Sequence, residues 1–156
     1  MRAAQGGWNS RDAVSVAQAY TTNSRWRNRD TFLTGRAEIE AFLTRKWQLE
    51  REQRLIKKLW AYAGNRIEVC FAYEWHKAYG RWFRSFGIEN WEFAAGGLMQ
   101  RRIASINDLA IRKDERKFHW PHWLGQHKTS PPRSTPRLNL HVCFGSQPDN
   151  PTLGLK

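Results

Sequence analysis

From residue 54 onward the apolar residues recur at every second position, and this change of period constrains the fold of the 156-residue chain more than any other feature. RLIKKLWAY (54–62) and RIEVCFAYEW (66–75) flank Gly64-Asn65, a pair suited to a turn between antiparallel strands. Ile67, Val69, Phe71, Tyr73 and Trp75 fall on one face of the second strand; Arg66, Glu68, Cys70, Ala72 and Glu74 fall on the other. A turn near 77–80 leads to RWFRSFGIENWEF (81–93), and AAGG (94–97) leads to LMQRRIASIND (98–108). Four long strands in a meander follow from this pattern.

The part before residue 52 has a different period. Ser10 or Asp12 can cap a short helix carrying Val14, Ala17 and Tyr20 on one side. TTNSRWRN suggests a short strand around Trp26. TGRAEIEAFLTRKWQLE then carries Ile39, Phe42, Leu43, Lys46 and Trp47 at helical spacing, an amphipathic helix of about four turns. RKDERKF (112–118) is expected to form a closing helix. The layout is α+β, with helices on one face of a curved, largely antiparallel sheet.

The third long strand is apolar on both faces, with Trp82, Phe86 and Ile88 on one and Phe83, Trp91 and Phe93 on the other. A sheet with one wet face shows cleaner alternation. Helices cover one side, and a second copy of the chain is the economical cover for the other.

All six prolines lie after position 120. Sequence so rich in proline and poor in periodicity cannot bury enough apolar surface to offset its ordering. Residues 1–120 are therefore expected to form the domain, and 121–156 a disordered, basic tail. No apolar run approaches the roughly 20 residues that span a bilayer, and MRAAQGGWNSRD lacks the apolar stretch of a signal peptide. Two distant cysteines, Cys70 and Cys143, suit free thiols in a reducing cytoplasm. The net charge of +12 raises a nucleic-acid reading. Its cations are scattered, however, with only short clusters at 25–29 and 57–58. Nucleic acid is not the expected partner.

WNSRD (8–12), SRWRNRDTFLTGRAEIEAFLTRKW (24–47), RLIKKLWAYAGNRIEVCFAYEWH (54–76) and RSFGIENWEF…GLMQRRIASINDLAI (84–111) resemble a bacterial SnoaL-like family of unknown function in the nuclear-transport-factor-2-like superfamily. ENWEF and RRIASIND are the most specific parts. The resemblance implies a cone of helices folded against a strongly bent sheet, a pocket between them, and dimers through the outer sheet face. The superfamily includes ketosteroid isomerases, dehydratases, polyketide cyclases and epoxide hydrolases beside non-enzymatic transport and adaptor proteins. It also implies a longer first helix than RAAQGGW supplies. Similarity stops after Trp120, as a shifted reading frame or altered gene boundary would give.

A four-residue turn at 94–97 pairs Glu92 with Met99, placing Glu89 opposite Arg102 and Asn90 opposite Arg101. Phe83, Ser85, Glu89, Trp91, Arg102 and Asp108 then share a face. Glu89 is a cross-strand ion pair or a general base in an aromatic pocket. Asp108 is a turn cap or an acid/base group. Arg102, Tyr73 and Asn107 are candidates to polarise a substrate; Trp26, Phe42, Trp47, Tyr73, Trp75, Phe83 and Trp91 are core or pocket lining. His76, His119 and His122 lack companions at metal-ligand spacing, so no metal is expected. No phosphate loop or nucleophile motif is present either, and no cofactor is expected. The expected activity is cofactor-free isomerisation, dehydration, cyclisation or hydrolysis of a small, largely apolar molecule. The competing reading is a non-catalytic ligand-binding or adaptor module.

Overall fold

The computed structural model describes residues 2–119; the expectations for the tail lie outside them. Six strands form one curled, open sheet in the order β2-β1-β6-β5-β4-β3. The four long strands are β3 (Arg51–Ala63), β4 (Arg66–His76), β5 (Trp82–Phe93) and β6 (Met99–Ile111), paired antiparallel in sequence. β1 (Tyr20–Asn28) runs parallel to β6 and turns at Arg29-Asp30 into β2 (Thr31–Thr34). Tyr20 therefore begins a strand rather than closing a helix.

Three helices lie on the face carrying Val69, Phe71, Tyr73 and Trp75: α1 (Arg2–Ser10), α2 (Ala13–Ala17) and α3 (Gly35–Leu49). The α2 N-terminus is capped by Asp12, which accepts from the Ser15 amide at 3.0 Å. α3 buries Ile39, Leu43, Lys46 and Trp47, the stripe its spacing predicts. α1 places Trp8 in the core and also serves the β3 edge. Asn9 exchanges two hydrogen bonds with the Leu55 backbone at 2.9 and 3.0 Å, and Gln5 accepts from the Lys57 amide at 3.0 Å.

The expected closing helix shrinks to a 3-10 turn, Lys113–Glu115. A stronger partner takes the next amides: fully buried Glu74 accepts from the backbone of Lys117 and Phe118 at 3.0–3.1 Å. It also holds the Arg84 guanidinium at 2.6 and 2.8 Å, while Arg116 lies over the Trp82 ring at 3.8 Å. The chain after β6 thus straps part of the outer face. The rest of that face leaves Ile88 44% and Leu109 53% exposed.

The β5–β6 register also differs from the expectation. A register shift follows Glu92, so Phe93 pairs with Met99, Glu92 with Arg101, Trp91 with Arg102, Asn90 with Ile103 and Glu89 with Ala104. Counting back from an unbroken ladder misses that irregularity. Glu89 and Arg102 still share a face, as diagonal neighbours.

Candidate functional site

The helix-covered face carries two layers of polar groups. The inner layer centres on Glu89, which is 2% exposed. Its Oε1 accepts from Arg102 at 2.5 Å, and its Oε2 accepts from Lys57 at 2.8 Å and from the Trp91 indole at 2.6 Å. Aromatic rings surround both cations. Arg102 lies 4.5 Å from the Trp26 ring and 4.9 Å from Trp8; Lys57 lies 4.8 Å from Trp91 and 5.2 Å from Trp8. Burial alone would raise the Glu89 pKa, but Arg102 and Lys57 outweigh it and hold the carboxyl at about 2. Burial draws Lys57 down to about 8, against the pull of Glu89. Glu89 is thus a pinned anion with every partner in place, an anchor for the sheet rather than a base open to a ligand.

The outer layer reaches solvent at one pair. Asp108 and Arg29 form a 2.5 Å ion pair with side chains 33% and 31% exposed. Ser85 donates to Asp108 at 2.5 Å and accepts from the Trp75 indole at 2.9 Å, and Trp75 stacks on Phe83 at 4.6 Å. Lys46 bridges the Glu50 carboxylate at 2.5 Å and the Tyr73 hydroxyl oxygen at 3.3 Å. Burial acts against the Lys46 charge, but Tyr73 and Glu50 overcome it and keep its pKa above the usual lysine value. Tyr73 favours the charge of Arg29 as well as that of Lys46. Arg29 has φ +60°, a conformation that disfavours any residue with a Cβ. Its amide bond to Ala104 O at 3.0 Å and its guanidinium bond to Ile106 O at 2.8 Å hold it there. A strained backbone that aims a cation is a frequent feature of functional sites.

The predicted residues sort clearly. Tyr73, Trp75, Phe83 and Asp108 meet in the outer layer; Trp91 and Arg102 surround Glu89. Trp26 and Phe42 pack edge to face at 6.4 Å in the core, and the Trp47 indole donates to Gln53 at 2.7 Å. Asn107 stands apart: it pairs with Phe86 and is exposed on the opposite face, because adjacent strand residues alternate. Sequence reasoning missed Glu50, Arg29 and the roles of Lys46 and Lys57. The two lysines left a trace, since each interrupts an apolar series, Lys46 in the buried stripe of α3 and Lys57 between Leu55 and Leu59.

A groove of about 410 Å³ lies at the far end of the sheet, bordered by Tyr62, Arg66, Glu68, Glu92 and Arg101. Glu92 is already paired there with Arg66 at 3.3 Å and Arg101 at 3.9 Å, and both arginines are more than half exposed. Exposed ion pairs of this kind contribute little energy, and the partly buried groups of the helix-covered face lie in the outer layer.

The family described as "Protein of unknown function (DUF1348)" matches residues 1–119. The chain belongs to this family. Solved structures resemble this DUF1348 protein at low identity. A putative SnoaL-like polyketide cyclase from Shewanella denitrificans is 15% identical, with TM-score 0.59, covering 67% of this chain and 85% of its own. The epoxide hydrolase/cyclase-like enzyme SalBIII, of pyran ring formation in the polyether salinomycin, gives 14% and 0.58 over 65% and 82%. A Catenulispora acidiphila protein with a ketosteroid isomerase-like fold, solved with trimethylamine, gives 13% and 0.58 over 65% and 79%. At such identities the likeness shows the fold, which is nuclear-transport-factor-2-like and SnoaL-like; a shared fold does not fix the chemistry. No curated protein matches the DUF1348 chain.

Proposed function

We propose that the chain binds a small, largely apolar molecule beside Trp75 and Phe83 and moves a proton on it without a cofactor. The observation that carries this reading is the convergence of Asp108, Arg29, Tyr73, Lys46 and Glu50 beside the Trp75–Phe83 stack, with the Asp108–Arg29 pair about one-third exposed. Asp108 is the solvent-accessible carboxylate and takes the proton. Tyr73, backed by Lys46 and Arg29, hydrogen-bonds the substrate oxygen on which charge develops. Isomerisation, dehydration, cyclisation and hydrolysis all fit these roles. The solved relatives with cyclase, hydrolase and isomerase-like descriptions support the same range.

Native mass spectrometry of the purified protein is expected to show a co-purified small molecule. Asp108→Asn is expected to lower turnover of that molecule or its congeners by roughly 10²–10⁴-fold while binding persists. A bound molecule with no turnover in the wild type would select the non-catalytic binding module, and unchanged turnover in Asp108→Asn would remove Asp108 from the mechanism.

A homodimer across the unstrapped outer face is proposed as well, supported by the exposure of Ile88 and Leu109 there. Light scattering is expected to give twice the chain mass for the wild type and the single mass for Ile88→Lys. A wild-type monomer at tens of micromolar rejects this arrangement.

A further inference from the structure

Glu50 follows the last turn of α3, its amide bonded to Lys46 O at 2.8 Å. Its side chain is 12% exposed. Oε1 receives the Lys46 ammonium at 2.5 Å, whereas Oε2 is buried with no hydrogen-bond partner among the described residues. A carboxylate serving only as an i,i+4 partner for Lys46 has no need to bury its second oxygen unsatisfied. The charged groups that act on Glu50 are Lys46 of α3, Asp108 of β6, Arg29 of the β1–β2 turn and Arg11 between α1 and α2, with Tyr73 of β4 bonded to Lys46.

We propose that Glu50 is the general acid of the site, carrying a proton on Oε2 and delivering it to an oxygen of the bound molecule. This rests on the reading of the outer layer as a reaction site. Asp108 gains one proton from the molecule as Glu50 gives one to it; no electrons are transferred to the protein, and exchange with water restores both carboxyls. The ligand class is an apolar molecule bearing a hydroxyl, carbonyl or ether oxygen that is protonated during reaction. The environments of the two carboxyls differ in the required sense. Burial raises the Glu50 pKa and Asp108 adds to the rise, against the opposing pull of Lys46 and Arg29. Asp108 is one-third exposed and paired with Arg29. Two carboxyls held in unlike surroundings can divide acid and base roles between them.

The test needs no ligand. The full chain with ¹³C-labelled glutamate carboxyls is titrated by NMR as wild type, Glu50→Gln and Asp108→Asn. One resonance is expected to titrate above the usual glutamate carboxyl range, and to be missing in Glu50→Gln. In Asp108→Asn the same resonance is expected to titrate at lower pH, because a neighbouring negative charge has been removed. Asp108 lies at the rim, so this second variant keeps the test decisive if Glu50→Gln does not fold. Titration of Glu50 in the usual glutamate range, or a midpoint indifferent to Asp108→Asn, overturns the proposal. A coupled, upshifted Glu50 in a chain that binds and turns over nothing would leave the carboxyl pair standing and remove the reaction.

Discussion

Glu89→Gln is expected to destabilise the fold by about 3–5 kcal/mol, a loss of roughly 10–20 °C in melting temperature for a domain of this size. The reason is the charge inventory of the inner layer. Glu89, Lys57 and Arg102 bury one anion with two cations. Removing the anion leaves two like charges facing each other in an aromatic interior, each without its ion-pair partner. Removing Lys57 has the opposite consequence, because Glu89 and Arg102 remain as a balanced pair. Lys57→Met should therefore change stability by about 1 kcal/mol or less, since burial already disfavours that ammonium. Thermal denaturation of both variants checks the asymmetry; equal losses would refute this account of the layer. The same anion gives a pH signature. Glu89 has a folded pKa of about 2 against a usual 4.5, so its contribution is complete above pH 4.5 and fades as pH falls toward 2. That contribution is about 3 kcal/mol. Glu89→Gln should show a flatter acid limb.

Gly87→Ala is expected to cost about 3 kcal/mol or more, through crowding rather than charge. A Cβ at Gly87 would lie 2.3 Å from Phe71 Cζ and 2.6 Å from the backbone oxygen of Ser105. The ring can swing aside only into packed neighbours, since Phe71 is 2% exposed and stacked on Tyr73 at 6.1 Å. The Ser105 carbonyl belongs to the neighbouring strand and cannot retreat without spreading the sheet. Denaturant unfolding of Gly87→Ala, Phe71→Leu and the double variant separates the two obstacles. Incomplete relief in the double variant is expected, because the backbone contact remains. A melting temperature within 2 °C of wild type for Gly87→Ala would show that the sheet tolerates the side chain.

The β3–β6 meander and α3 were legible because their apolar periods are long and each period matches one buried face. β2 was not: Thr31–Thr34 is four residues long and buries only Leu33. The closing helix failed for a tertiary reason, since Glu74 captures amides that a helix would have used internally. Within the site, shared faces could be read from parity alone, so Glu89, Trp91 and Arg102 were grouped despite the register shift after Glu92. Glu50 was invisible by the same rule. It lies between elements, where no period applies, and its importance comes from Lys46 on its own helix and residues 21 to 58 positions away in sequence. Asn107 was misplaced because it adjoins Asp108 in sequence, and in a strand such neighbours point apart.

The α1 amides that meet Leu55 and Lys57 have a consequence for how molecules of this chain avoid each other. β3 ends the sheet, and an uncovered terminal strand is a template onto which another chain can add its own strand. Asn9 offers Leu55 both an acceptor and a donor, and Gln5 offers Lys57 an acceptor, so side chains of a helix occupy the positions an incoming backbone would take. The helix that seats Trp8 in the core thereby also guards against fibre-like growth, and both duties are lost together if it detaches.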